Sequence, residues 1–589
     1  MAETDLEAEL ARLKRASSAG ESNAPEELTR SSALPTPTEL APEEIGRVAI
    51  PDRLFISQGE QQIELYLPEV RRDEIALGEY VVIPLGYRPE KLFGRIKRIA
   101  YRKRDAIDDL SEVHALVSAA SVGEDEYVAL AQVEPISLIS NSGQPTEVRY
   151  IPKPNTLVRR VISEEEVKIG LDLPPDGLFL GYLAVNGERI TVAGQIPIAY
   201  YLLNDADKTG DPLIFTHLLI AGMSGRGKTH TAKNFLRQVI GSRYRMERRG
   251  GAVRQPCLVI IDPEDEYWGL REDNPNLKNI PSEERANLAG SGVKLGGVGE
   301  VLTVYSAVEA GKSYHGCDAH TDFTIPFELV GDFPYLIAGG ELNEAQYAGL
   351  ERLIRDFFKR SSDKSYRAFR AFVHDDAELE RYKESDLIHE ATLGAIRRRV
   401  SRGQFEKIFD QGANPITELY KSVFAEGAVS VFPTAHLSME AERVVVLAVM
   451  SMIADGKTRL SEDKPWGRRI AQFPIVLAVD EAHNYLTASQ TQQDRIIIEK
   501  FVAAAKQGRK DRLGLVLITQ NPQDVSEAVL SQISTRILLG MDQTMAERAG
   551  APGHYQKALP YFEKGRMVVH SPDNSQPVEI RGLPFCLVR

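Results

Sequence analysis

The run Gly222-Met223-Ser224-Gly225-Arg226-Gly227-Lys228-Thr229 joins glycines, a lysine and a hydroxyl at GxxxxGKT spacing. Glycines at Gly222, Gly225 and Gly227 let the backbone bend tightly enough to turn successive N–H groups toward one anion. The amides of Gly222, Ser224, Gly225, Arg226, Gly227, Lys228, Thr229 and His230 are the expected phosphate cradle. Lys228 should reach the terminal phosphates of a nucleotide, and the Thr229 hydroxyl should ligate Mg²⁺. The surrounding sequence, HLLIAGMSGRGKTHTAKNFL, reads as an apolar strand, the turn and then a helix, which is the context this chemistry requires.

A second acidic element follows in FPIVLAVDEAH. An apolar strand there ends at Asp480, placed to support Mg²⁺. Glu481, directly after it, is a candidate base for the attacking water. GLVLITQNPQDV ends another apolar run at Gln520, a candidate sensor of the γ-phosphate. Asn521-Pro522-Gln523-Asp524 lacks the lysine of the guanine-reading NKxD pattern, so ATP is the expected nucleotide. Arg509, in the KQGRKDR turn, could project into a neighbouring subunit's site and stabilise transition-state charge. Gly311-Lys312-Ser313 and Gly456-Lys457-Thr458 repeat GK[ST], but Ser306 and Ser451 stand where the first glycine belongs, so both read as incidental.

These motifs need a scaffold of buried parallel strands. HLLIAG, PCLVIID, IVLAVDE and GLVLITQ are unbroken apolar runs, as strands covered on both faces should be. A mostly helical stretch, 343–456, separates the second and third of them and reads as an inserted subdomain. Residues 151–342 and 457–589 then form the two parts of the core. Upstream, 45–150 shows short strands with Gly, Pro and Asp breaks (RVAIP, IELYLP, YVVIPLG, LFGRIKRIAY, YVALAQVEPISLI), the pattern of a small β-barrel or sandwich. Asn186-Gly187 marks a two-residue hairpin. Residues 1–44 carry a Ser/Pro/Glu/Ala-rich run that reads as a tether. The expected fold class is therefore α/β: a RecA-like P-loop core, an N-terminal barrel and a helical insertion.

Composition narrows the setting. The 589 residues carry a net charge of −13, which argues against a surface that coats nucleic acid throughout but allows a local basic channel. Candidate phosphate contacts are Arg397, Arg398, Arg399 and Arg402, and Arg243, Arg245, Arg248 and Arg249. The alternative for each cluster is a solvated face. The longest apolar stretches, Val444–Ile453 and Phe473–Val479, are too short to span a membrane. The start has no signal-peptide pattern, and Cys257, Cys317 and Cys586 have no pairable spacing, so a cytoplasmic setting is expected. His315, Cys317 and His320 lack a fourth ligand at metal-site spacing.

Taken in order, IGRVAIP, HLLIAGMSGRGKT, IIDPEDEY, VDEAHNYL, QGRKDRLGLVLITQNPQDV and VLSQISTRILLGM resemble the HerA family of the FtsK–HerA P-loop ATPases from Ile45 to the last residue. The resemblance implies a homo-hexameric ring that uses ATP and Mg²⁺ to translocate on double-stranded DNA. It also implies a partner nuclease or other effector, docked on the barrel, and it favours Arg509 as an arginine finger acting in trans. Two departures stand out: Met223 and Arg226 replace the usual loop residues, and DPEDEY replaces the commoner DPHGEY around Asp262 and Glu266. A second function remains open, an ATP-regulated assembly platform for an antiphage effector with little translocation of its own. A conjugation or secretion ATPase is a third.

Overall fold

The computed structural model describes residues 41–49, 55–56, 61–103, 127–140, 143–192, 196–204, 212–246, 250–339, 342–384, 387–487 and 491–589. All of the expected tether except 41–44 lies outside them, as do Arg248 and Arg249. The chain divides into two compact units, Met1–Val161 and Ile162–Arg589.

Six strands of the first unit close into a barrel: β1 (Glu44–Val48), β2 (Gln61–Leu67), β3 (Tyr80–Pro84), β4 (Lys91–Lys103), β5 (Tyr127–Ile139) and β6 (Leu157–Arg160). Their order is β2-β1-β6-β3-β4-β5, and β5 pairs back to β2. Closure leaves these strands without a free edge. Inward residues of alternate positions, among them Ile45, Ile63, Leu65, Val81, Ile83, Val133 and Val158, form its core. Gly46 fits because a Cβ there would stand 2.2 Å from the Tyr66 carbonyl oxygen. The unit ends beyond residue 150, the boundary expected from sequence, because β6 returns to pair with both β1 and β3.

The second unit is built on a 14-stranded sheet. Twelve of its strands are β7 (Leu178–Val185), β8 (Glu188–Arg189), β9 (Leu218–Ala221), β10 (Cys257–Asp262), β11 (Leu302–Ala307), β12 (His320–Thr324), β13 (Val429–Pro433), β14 (Ile475–Val479), β15 (Leu513–Thr519), β16 (Thr535–Leu539), β17 (Arg566–His570) and β18 (Val578–Arg581), and the short strands Ala199–Leu202 and Asn414–Pro415 complete it beside β7 and β12. They run β8-β7-β18-β17-β16-β9-β15-β14-β10-β13-β11-β12 across the sheet. From β16 to β12 the pairing is parallel, and from β16 through β17 and β18 to β7 it is antiparallel. Every residue of β9, β10, β14 and β15 is buried, which is why their sequences show no polar alternation.

The five longest helices among the described residues of this unit are α1 (Lys228–Val239), α2 (Glu344–Arg360), α3 (Glu390–Val400), α4 (Met439–Thr458) and α5 (Gln492–Gly508). The expected helical stretch 343–456 is not wholly an insertion. It contains β13, which sits in the sheet between β10 and β11, and most of α4, which is apolar nearly all round and buried along its length. Lys457, in the second GKT run, belongs to this helix and donates to the Phe473 and Asp511 carbonyls, a purely structural use. No helix among the described residues is long and apolar enough to cross a membrane.

Candidate active site

Strand β9 delivers the glycine loop to the C-terminal edge of the parallel strands, and α1 leaves from it. Gly225 and Gly227 have φ of 78° and 94°, conformations that a side chain would strain. Gly222 is needed for space: a Cβ there would approach the Leu539 Cβ to 2.8 Å. The first helical hydrogen bond is Thr231 N to Gly227 O, 2.9 Å. The amides of Lys228, Thr229 and His230 come before it and belong to the helix's open first turn, where the dipole favours an anion.

The sequence-predicted residues converge on Glu481. Lys228 Nζ donates to Glu481 Oε1 at 2.9 Å, and Gln520 Nε2 donates to the same oxygen at 2.8 Å. His483 Nδ1 lies 3.3 Å from the other carboxylate oxygen. Glu481 is 5% exposed and adopts φ 44°, a left-handed conformation rare for a residue with a Cβ. Strained, buried acids of this kind persist where the surroundings hold them, and they gather at reactive sites. Asp480 Oδ1 accepts the Glu481 amide at 2.8 Å, and Oδ2 accepts the Tyr267 hydroxyl at 3.0 Å. Burial pushes the Asp480 carboxyl up to about 6, against the opposing pull of Lys228. A cation beside it would relieve that cost, so its carboxylate, with the Thr229 hydroxyl, suits a hard metal ion such as Mg²⁺.

Two of the predicted residues have other engagements. The His230 imidazole is 2.7 Å from the Phe585 carbonyl, so its side chain holds the C-terminal segment and only its amide is left for phosphate. Arg226 Nη1 donates to the Phe562 carbonyl at 2.9 Å, tying the loop to the turn before β17. Arg509 is not brought to the other site residues of its own chain. It is exposed and precedes β15, whose far end aligns with the loop (Ala221 opposite Thr519). A strand of this length separates the two by roughly 20 Å. The turn that carries Arg509 is firmly held: Arg512 donates to the Arg245 carbonyl at 2.9 Å, and Asp511 pairs with Arg459 at 3.3 Å.

The arginine run in α3 changes meaning in three dimensions. Arg399 is 4% exposed, donates to the Ile337 carbonyl and pairs with Glu440. Arg397 binds the Val373 carbonyl and Asp376. Only Arg398 of the three is exposed to solvent. Sequence reasoning gave Tyr267 and His483 no role. Both follow motif acids, in DPEDEY and VDEAH, and that adjacency was the available signal. Asp262 itself serves the fold, its carboxylate accepting the amides of Glu266 and Tyr267 at 2.9 and 2.8 Å. Glu266 points to solvent.

The description "Helicase HerA, central domain" matches residues 209–453, and "Helicase HerA-like C-terminal" matches 362–551. A "Probable helicase MJECL08" of Methanocaldococcus jannaschii is 20% identical over 82% of this chain and 84% of its own length. The "DNA double-strand break repair helicase HerA" of Sulfurisphaera tokodaii is 27% identical over 63% of this chain and 64% of its own. Among solved structures, VirB4 of Thermoanaerobacter pseudethanolicus has 14% identity and a TM-score of 0.44, covering 70% of this chain and 97% of VirB4. The first match spans the strand that leads into Gly222 and the second the strand that ends before Asp480; the chain belongs to the HerA family and is an ATPase.

Proposed function

We propose that this ATPase is a ring motor, a homo-hexamer that uses Mg·ATP to move along double-stranded DNA in company with a nuclease or other effector docked on the barrel. In this reading Lys228 and the loop amides bind the phosphates, while Thr229 and Asp480 hold Mg²⁺. Glu481 takes the proton of the attacking water, and Gln520 orients Glu481 and senses the γ-phosphate. The supporting observation is the placement of Arg509 on a braced turn at the opposite end of the sheet from its own Lys228. An arginine there cannot serve its own site, but a neighbouring copy can present it, and a repeated head-to-tail contact of that kind closes a ring. DNA as the track rests on the relatives that carry the name of a DNA-repair helicase.

Steady-state ATPase activity, measured against duplex length and salt with and without the native partner, tests this reading. Duplex DNA should raise the rate, with little dependence on sequence and a steep fall as salt rises, because phosphate contacts release counterions. A flat response in every condition would remove the motor and leave an ATP-regulated assembly platform.

A further inference from the structure

A cavity of about 350 Å³ lies where the end of α3 meets the beginnings of α4 and α5, and none of its lining residues belongs to the ATP site. Part of the lining is apolar: Leu336, Val444 and Leu447 are each no more than 3% exposed in the protein. The volume falls within the roughly 300–1,000 Å³ of small-molecule sites.

The polar part of the lining suits an anion. Met439 and Glu440 open α4, and Gln493 and Asp494 stand in the first turn of α5, so two long helices begin at this space. First-turn amides and the helix dipole both favour negative charge there. Three guanidiniums, of Arg399, Arg402 and Arg443, line the cavity with two carboxylates, Glu440 and Asp494. Arg399 pairs with Glu440 and lies 4.8 Å from the centre of the Phe405 ring, and Arg443 pairs with Asp494. The lining thus carries one positive charge more than negative.

Gln493 adds a demand of the opposite sense. It is 3% exposed, and its Nε2 donates to the Tyr335 carbonyl. Its Oε1 is buried and has no hydrogen-bond partner among the described residues. A buried acceptor is costly to leave unpaired and calls for an N–H or O–H. One occupant that meets all three conditions joins an anionic group, a hydrogen-bond donor and an apolar or flat body. Inorganic phosphate lacks the body, and a purely apolar ligand lacks the rest.

We propose that this cavity is a second ligand site, for a free phosphomonoester of mononucleotide size. Its phosphate is held by Arg402 and the helix beginnings, and an amino or hydroxyl group of its body donates to Gln493 Oε1. Arg402 then serves a small molecule instead of a DNA strand.

Calorimetric titration with AMP tests this, with Mg·ADP kept saturating so that the glycine loop is filled. Arg402→Ala removes a guanidinium, and Gln493→Met keeps an unbranched side chain without the acceptor. Each should weaken AMP binding about tenfold, as expected for one lost hydrogen bond to a charged or buried group. Melting temperatures report whether each variant is folded, and either variant serves if the other is not. Lys228→Ala should leave the AMP affinity unchanged. Loss of AMP binding in Lys228→Ala with full affinity in the other two would put AMP on the glycine loop and overturn the proposal. Failure of the unaltered protein to bind AMP would also overturn it, as would a single-stranded oligonucleotide that binds through Arg402 and Gln493 where AMP does not.

Discussion

Lys228 and Glu481 form a buried ion pair, 2.9 Å between charged atoms, with side chains 9% and 7% exposed. The lysine that should hold the terminal phosphates thus holds the candidate base. On the proposed reading, nucleotide and Glu481 would compete for one ammonium group, and arrival of the triphosphate would release Glu481 toward the attacking water. Glu481→Gln removes the competitor's charge, so this variant should bind ATP at least as tightly as the unaltered protein. Its turnover should fall roughly 10²–10⁴-fold, the usual contribution of a general base. Affinity and phosphate release, measured side by side, check both halves; ordinary turnover would end the base assignment.

Gln520 shares the Glu481 oxygen that Lys228 occupies. If it keeps that hold when the lysine leaves, it would orient the base during reaction. Gln520→Ala is expected to lower kcat roughly ten- to a hundredfold with KM nearly unchanged, the pattern of an interaction needed after binding. A raised KM with normal kcat would instead make Gln520 a binding residue.

Arg509 precedes β15 at the end opposite its own loop, so its loss should be repairable by a neighbour. Arg509→Ala should bind ATP and hydrolyse it poorly. Mixed with Lys228→Ala protein it should regain activity, because some interfaces then place an intact arginine against an intact loop. Mixed assemblies of proven composition that stay inactive would remove the trans assignment.

Tyr267 donates its hydroxyl to Asp480 at 3.0 Å from a fully buried position. Removing that hydroxyl with Tyr267→Phe should leave the ring packing intact and let the carboxylate drift. Groups that orient a metal's ligands commonly matter tenfold or more. The expected result is a Mg²⁺ requirement shifted roughly tenfold higher, with maximal rate recovered at high Mg²⁺. An unchanged Mg²⁺ profile would show that Asp480 needs no such support.

His217 gives the fold a pH limit. It is buried, accepts the Leu515 amide on Nδ1 at 3.1 Å and donates from Nε2 to the Ala505 carbonyl at 3.0 Å. Burial lowers its pKa to about 4, against 6.5 for the free side chain. A histidine depressed in the folded state is stabilising when neutral, so its contribution is complete above pH 6.5 and drains away as pH falls toward 4. The total is on the order of 3 kcal/mol. Melting temperature should decline over that window, and less steeply in His217→Gln.

The candidate site was legible because each of its parts is contiguous: the glycine loop and the strand-end acids must occur as short runs with fixed residue types. Asp480, Glu481 and Gln520 could be named before any strand was paired. Strand β13 was hidden between helical stretches, since a short buried run such as VSVFP carries no period of its own. Arg397 and Arg399 looked like a basic patch because sequence shows charge without showing partners. The neighbourhood of β7 and β18 was invisible for a further reason: it exists only through their pairing, which joins residues from the two ends of the second unit.

That wide separation also bears on how the protein comes to be folded. Strand β9, which carries the phosphate loop, takes both sheet neighbours from beyond residue 512. During synthesis the loop therefore emerges long before the strands that fix it, and an apolar strand must wait unpaired while the intervening helices are made. Late, non-local pairing of this sort is slow and leaves sticky edges exposed. Truncation anywhere before β16 should yield an aggregating fragment, and folding yield, more than the stability of the finished sheet, should respond to chaperones and to the rate of translation.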